Sequence, residues 1–213
     1  VPSSAFIEKA VMGGIDRLKA PEAVVKIILT GGDSHKLVPE SGSRLFILFS
    51  AFESWPNEYY KQGISIFTVN LRRPVPELKA LSYIEAAVAH REALKSGYDE
   101  AVYQDGNNNI LEGTNFNFAV IKAQQIITPD KEILNGFTML EVLRQAKNLG
   151  LKIARRFINR QDLRVANDVF ITSATREVIP VVKVDKIRIG NGRPGKWSKI
   201  LLEKYRENAE KQI

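Results

Sequence analysis

Lys79 stands just after a proline-bearing stretch and just before an amphipathic helical pattern, with Leu78, Ala80 and Leu81 around it. An apolar neighbourhood penalises the ammonium form and lowers a lysine pKa, which an amine that attacks a carbonyl requires. Further on, Glu112 closes a strand-like run and precedes Gly113 and Thr114, a place from which a carboxylate can pair with a cationic ring nitrogen. Gly136-Phe137-Thr138 opens a helical pattern, where a glycine permits close backbone approach and free N–H groups at the helix start attract an anion. Thr172-Ser173-Ala174-Thr175 ends a strand and offers further hydroxyls and N–H groups. Each piece alone has an ordinary alternative: a solvated lysine, an exposed turn glutamate, a capped helix, a polar strand exit.

Taken in this order, the four pieces supply what a phosphorylated pyridine bearing an aldehyde needs. The amine meets the aldehyde carbon, the acid meets the ring nitrogen, and two anion cradles meet the phosphate. Such an assembly implies an enzyme.

Composition bounds this reading without proving it. A chain of 213 residues that is 44% hydrophobic can bury a substantial core in one large or two small domains. The longest apolar runs, Val24 to Leu29 and Leu45 to Phe49, are strand-sized and too short to span a bilayer. The opening residues lack a basic stretch followed by an apolar run, so no membrane association and a cytoplasmic location are expected. With no cysteine and only His35 and His90 as histidines, neither a disulfide framework nor a metal site is expected. The net charge of +7 is dispersed among acids along the chain and lacks aromatic platforms, which argues against a nucleic-acid partner.

The elements that must position these residues fall into a mixed α/β pattern without internal repeats. A helix capped by Ser3 or Ser4 carries Phe6, Ile7, Val11, Ile15 and Leu18 and is weakened by Gly13-Gly14. Strands are predicted over 24–30, 45–50 and 64–70, with a mobile polar loop over 31–43. Pro74 and Pro76 mark a linker, so the expected organisation is a smaller domain over 1–72, a linker over 73–78 and a larger domain over 79–213. The larger part reads as a helix over 82–95, a strand over 100–104, a turn at 105–108 and strands near 116–121 and 125–128. A helix over 138–149 follows, then strands over 151–158, 169–172 and 181–189, a short helix between the first two of these, and a terminal helix over 196–211.

Several segments together resemble the class IV, fold-type IV pyridoxal-phosphate enzymes, the group of branched-chain aminotransferase, D-amino-acid aminotransferase and aminodeoxychorismate lyase. They are Leu78-Lys79-Ala80-Leu81-Ser82-Tyr83, Gly97-Tyr98-Asp99-Glu100-Ala101-Val102, Leu111-Glu112-Gly113-Thr114-Asn115-Phe116-Asn117-Phe118 and Ile127-Thr128-Pro129. Ile133-Leu134-Asn135-Gly136-Phe137-Thr138, Val169-Phe170-Ile171-Thr172-Ser173 and Glu177-Val178-Ile179-Pro180-Val181 follow in the family's order, from about Gly63 onward.

The resemblance implies a smaller N-terminal α/β domain and a larger domain with a mixed, barrel-like sheet flanked by helices. It implies pyridoxal 5'-phosphate as cofactor, with Lys79 as the catalytic lysine that forms the internal aldimine and moves a proton between the α-carbon and C4′. Glu112 matches the partner of the pyridine nitrogen; Gly136, Phe137 and Thr138 match the phosphate-binding helix start; and Ser173, Ala174 and Thr175 match the second phosphate loop. Tyr83 matches a tyrosine near the phenolic oxygen of the cofactor, and Arg72 an arginine that precedes the lysine in some D-amino-acid enzymes. His35 and Lys36, in the loop where relatives read their substrates, are candidate carboxylate contacts, with a surface role as the alternative. The family also implies a homodimer.

The departures are Ser82 for an asparagine, Phe116 for a small residue, Met139 for an arginine and Ala174 for a threonine, each trimming a hydrogen bond of about 1 kcal/mol. A further phosphate-binding arginine is expected upstream, in a segment that precedes this sequence. The leading expectation is transamination between an amino acid and a 2-oxo acid. The alternatives are a lyase that releases pyruvate from aminodeoxychorismate and a non-catalytic basic binding module on the same fold.

Overall fold

The computed structural model describes residues 2–34, 38–39 and 42–211. His35 and Lys36 lie outside them, as does part of the loop predicted over 31–43. The chain divides into two compact units, Val1–Ser54 and Trp55–Ile213.

In the first unit α1 (Ser4–Leu18) begins at Ser3, whose hydroxyl accepts from the Phe6 N–H at 3.3 Å. An antiparallel pair follows, β1 (Ala23–Thr30) with β2 (Arg44–Ala51), in continuous register from Ala23↔Ala51 to Thr30↔Arg44. Gly14 costs helix propensity but has a packing reason, because a Cβ there would stand 2.0 Å from the Phe49 ring.

The second unit is built on a mixed sheet in the order β5-β4-β3-β10-β9-β6-β7-β8, with β11 attached to β10. Its strands are β3 (Ile64–Asn70), β4 (Glu100–Gln104), β5 (Ile110–Gly113), β6 (Asn117–Lys122), β7 (Gln125–Thr128), β8 (Lys152–Arg155), β9 (Asp168–Ser173), β10 (Glu177–Val184) and β11 (Ile187–Arg188). Helix α2 (Asn57–Gln62), which the sequence reading did not foresee, leads into β3. The sheet curls until its two ends approach, and Ile110 of β5 bridges to Ile158, just beyond β8, with an N–H to carbonyl bond of 2.7 Å.

The expected boundary at 73–78 differs from the observed division after Ser54. Strand β3 pairs in parallel with both β4 and β10, so it is hydrogen-bonded into the large sheet and belongs with it.

The two parallel returns explain the flanking helices, since parallel neighbours need a crossover. From β3 to β4 the chain crosses through α3 (Ile84–Lys95), which turns Ala86, Ala89 and Ala93 onto the sheet. From β7 to β8 it crosses through α4 (Phe137–Asn148), which buries Met139, Val142, Leu143 and Ala146. The small α5 (Arg160–Arg164) carries a reciprocal cap between Asn159 and Asp162, and α6 (Lys196–Glu210) packs Leu201 into the layer below α4. Inside the curl lie Ile64, Val102, Ile110, Phe118, Ile158 and Ile171.

The single strand predicted over 181–189 is instead a hairpin. Asp185 sits at φ 50° and its carboxylate accepts from the Thr68 N–H and hydroxyl, both at 2.8 Å, and from Arg160 at 2.9 Å. Those bonds pin a reversal that the apolar run on either side conceals. Strand β8 is likewise shorter than predicted, because its partner β7 offers only four residues.

Candidate active site

Between the sheet edge and the start of α4 lies a cavity of about 420 Å³. Lys79 reaches it from the irregular segment between β3 and α3, Tyr83 from the residue before α3, and Glu112 from β5. Gly136, Phe137 and Thr138 border it from the first turn of α4, and Ser173 and Ala174 from the β9–β10 turn. Lys79 and Glu112 thus open on one space, although they arise from different elements.

Glu112 is 5% exposed, and its Oε2 accepts from the Leu134 N–H at 2.9 Å. Burial pushes its carboxyl above the usual carboxylate range, and the Leu134 N–H, the Arg73 guanidinium and the Lys79 charge oppose that rise. Burial, followed by the charge of Glu112, likewise pushes the neighbouring Tyr103 phenol up to about 12. Arg73 Nε lies 3.0 Å from Glu112 Oε1, close enough for charge attraction, although among the described residues neither atom finds a partner in good hydrogen-bond geometry. Arg73 is anchored by donating to the Pro76 carbonyl.

Helix α4 has no side-chain cap at Gly136, so the N–H groups of its first turn remain available beside the cavity. Glycine is required there: a Cβ would stand 2.1 Å from Asn117 Oδ1, whose Nδ2 donates to the Leu134 carbonyl at 2.7 Å. The same tight packing sets Leu134 against Glu112 on one side and Gly136 at the head of α4 on the other. Thr172, near the end of β9, also borders the cavity, and its buried hydroxyl has no partner among the described residues. An uncapped helix start, an orphaned hydroxyl and a carboxylate oxygen lacking a donor are together what an anionic, ring-nitrogen-bearing ligand would satisfy. The residues present fit the cofactor expected from the sequence.

Some expectations change. Arg72 does not line the cavity and pairs with Glu132 at 3.2 Å and Asp105 at 3.7 Å, while Arg73 lines it. Thr175 is in the β9–β10 turn but does not line the cavity. Of the apolar neighbours expected around Lys79, Leu78 lines the cavity with it though 61% exposed, and Leu81, 52% exposed, does not line it. Phe116 and Met139 are core residues: Phe116 covers Gly113, and Met139 packs with Val142 and Leu143. Arg73 was not foreseen, because the adjacent prolines gave no periodicity from which to choose between Arg72 and Arg73, whereas Thr172 was already among the hydroxyls expected at the strand end.

Curled sheet, helix-start cradle and loop lysine define a fold-type IV enzyme scaffold. A family profile described as Amino-transferase class IV matches residues 2–184, and the chain belongs to that family. Its cofactor is pyridoxal 5'-phosphate. Among relatives, the "Probable branched-chain-amino-acid aminotransferase" of Aquifex aeolicus is 39% identical over 127 residues, which is 58% of this chain and 41% of that protein. The branched-chain-amino-acid aminotransferase of Pseudomonas aeruginosa is 29% identical over 210 residues, 93% of this chain and 68% of that protein. The chain spans 41% and 54% of the lengths of the Aquifex aeolicus and Methanocaldococcus jannaschii relatives. In fold it is similar to the crystal structure of the Escherichia coli branched-chain amino acid aminotransferase, with a TM-score of 0.86 at 24% identity over 97% of this chain and 73% of that one. No helix of the described residues is long and apolar enough to cross a membrane.

Proposed function

We propose that this chain carries the cofactor site of an enzyme that moves an amino group between an amino acid and a 2-oxo acid, with pyridoxal 5'-phosphate at the cavity. The observation that carries this reading is the convergence of Lys79, Glu112 and the head of α4 on one cavity. When bound, the cofactor supplies an electron sink for the charge left as an amino acid loses its α-proton.

Lys79 Nζ would hold the cofactor at its aldehyde carbon and would serve as acid and base for the α-proton of the substrate. Glu112, held by the Leu134 N–H and lying beside Arg73, would pair with the ring nitrogen and favour its protonated form. The Thr138 hydroxyl and the first N–H groups of α4 would hold the phosphate together with Ser173 and Ala174, which line the same cavity. Tyr83, which lines the cavity, would help to orient the ring. A homodimer in the cytoplasm belongs to this reading, with Phe137 at 89% and Ile84 at 79% exposure supplying apolar surface for a second copy.

Titration of pyridoxal 5'-phosphate into the full-length protein tests it. A visible absorbance band that responds to amino acids is expected, and Lys79→Ala removes it; an undiminished band in that variant rejects the assignment.

A further inference from the structure

A second cavity, of about 200 Å³, adjoins the first, and Tyr83, Thr114 and Asn115 line both. Its remaining polar wall is a cluster centred on Arg176, which is 4% exposed and stands in the same β9–β10 turn as Ser173 and Ala174. Arg176 donates to Glu100 and to the Asn115 side-chain oxygen. The second oxygen of Glu100 accepts from the Thr114 hydroxyl at 3.2 Å and lies 3.1 Å from His90 Nδ1. The Trp55 and Phe116 rings flank the guanidinium, with centroids 4.2 and 5.6 Å away.

Stability alone does not account for this cluster. A buried ion pair loses its hydration, and apolar residues of equal volume commonly serve a core as well or better. What the cluster does provide is a polar compartment at the edge of the cofactor cavity, with one guanidinium balanced by one carboxylate. Lys79 and Tyr83 come from one segment and both line the first cavity, and Tyr83 lines the second as well.

Resting on the transamination reading above, we propose that this compartment receives the substrate side chain. It selects a neutral hydrogen-bonding side chain, hydroxyl or amide, over a branched aliphatic one of the same shape. An aliphatic side chain would strip water from the exposed Asn115 and the partly exposed His90 without replacing its hydrogen bonds, which is how polar sites reject apolar isosteres.

The test uses full-length holoenzyme and follows the visible band of the lysine-linked cofactor in single half-reactions. The substrates are the isosteric pairs threonine and valine, and asparagine and leucine, in both enantiomers. The polar member of each pair is expected to react with a kcat/KM about tenfold or more above its partner. Asn115→Ala, at an exposed position, should bring that ratio towards one. The double variant Glu100→Gln, Arg176→Met, which removes both buried charges together, should do the same. Equal or faster reaction of valine and leucine in the unaltered enzyme overturns the inference while leaving transamination standing. Ratios unchanged in both variants overturn the assignment to this cluster. A cofactor-loaded protein whose band responds to no amino acid overturns the transamination reading and this inference with it.

Discussion

Arg73 lies against Glu112, its Nε 3.0 Å from Oε1, while Glu112 holds the Leu134 N–H through the other oxygen at 2.9 Å. One buried carboxylate therefore ties the segment before Lys79 to the segment before α4, and the two halves of the proposed cofactor site share a single anchor.

Removing the arginine should be costly. Arg73→Met leaves a buried carboxylate with one N–H for a partner, and a loss of about 3 kcal/mol in unfolding free energy is expected. Urea denaturation checks it, and the double variant Arg73→Met, Glu112→Gln should recover much of the loss because no uncompensated charge remains.

The raised pKa of Glu112 has a defined sign in stability. A carboxyl that binds its proton more tightly when folded adds no penalty below the unfolded pKa, near 4.5, and destabilises the fold increasingly as pH rises through the raised folded value. Asp168 is shifted in the same direction, chiefly by burial, so the comparison must isolate Glu112. Melting temperatures of cofactor-free protein and of Glu112→Gln, measured across that window, should diverge in favour of the variant as pH increases. Parallel curves would show that Glu112 is ionised at no cost.

Thr172→Val should separate stability from ligand binding. The hydroxyl is buried without a partner among the described residues, so its replacement by an apolar isostere should leave cofactor-free stability unchanged or raise it by about 1 kcal/mol. Affinity for pyridoxal 5'-phosphate, read by absorbance titration, should fall if that hydroxyl turns to the ligand. A drop in stability of the cofactor-free protein would show that the hydroxyl already has a partner in solution.

Gly136→Ala places a Cβ against Asn117 Oδ1 and displaces the bond that holds the Leu134 carbonyl. A stability loss of about 2 kcal/mol, as for an overpacked site, is expected together with weaker cofactor binding. Calorimetry and absorbance titration on the same sample measure both, and an unchanged protein would mean that Asn117 can move aside freely.

Much of the chemistry was legible along the chain because it sits at element ends. Glu112 closes a strand, Gly136 to Thr138 open a helix, and Ser173 and Ala174 leave a strand. Such ends are marked by residue type: a glycine where backbone must approach, hydroxyls and N–H groups where a helix or strand stops. The fold class was also legible, since alternation and helical periodicity are local properties of the burial pattern. The hairpin at Asp185 was not, because the bonds that reverse the chain come from Thr68 and Arg160, far away in sequence.

By itself, then, the sequence determined most of the strands and helices, α2 and the β10–β11 reversal excepted, and the residue types at their ends, because those follow from interactions between near neighbours. Only the tertiary structure decided that β3 belongs with the larger unit, that Arg73 and not Arg72 meets Glu112, and that Arg176 joins Glu100, Asn115 and Thr114 in one polar wall. Each of those outcomes depends on strand pairing and side-chain direction across long separations. The burial that raises the Glu112 pKa and strips water from Arg176 exists only once the sheet has curled.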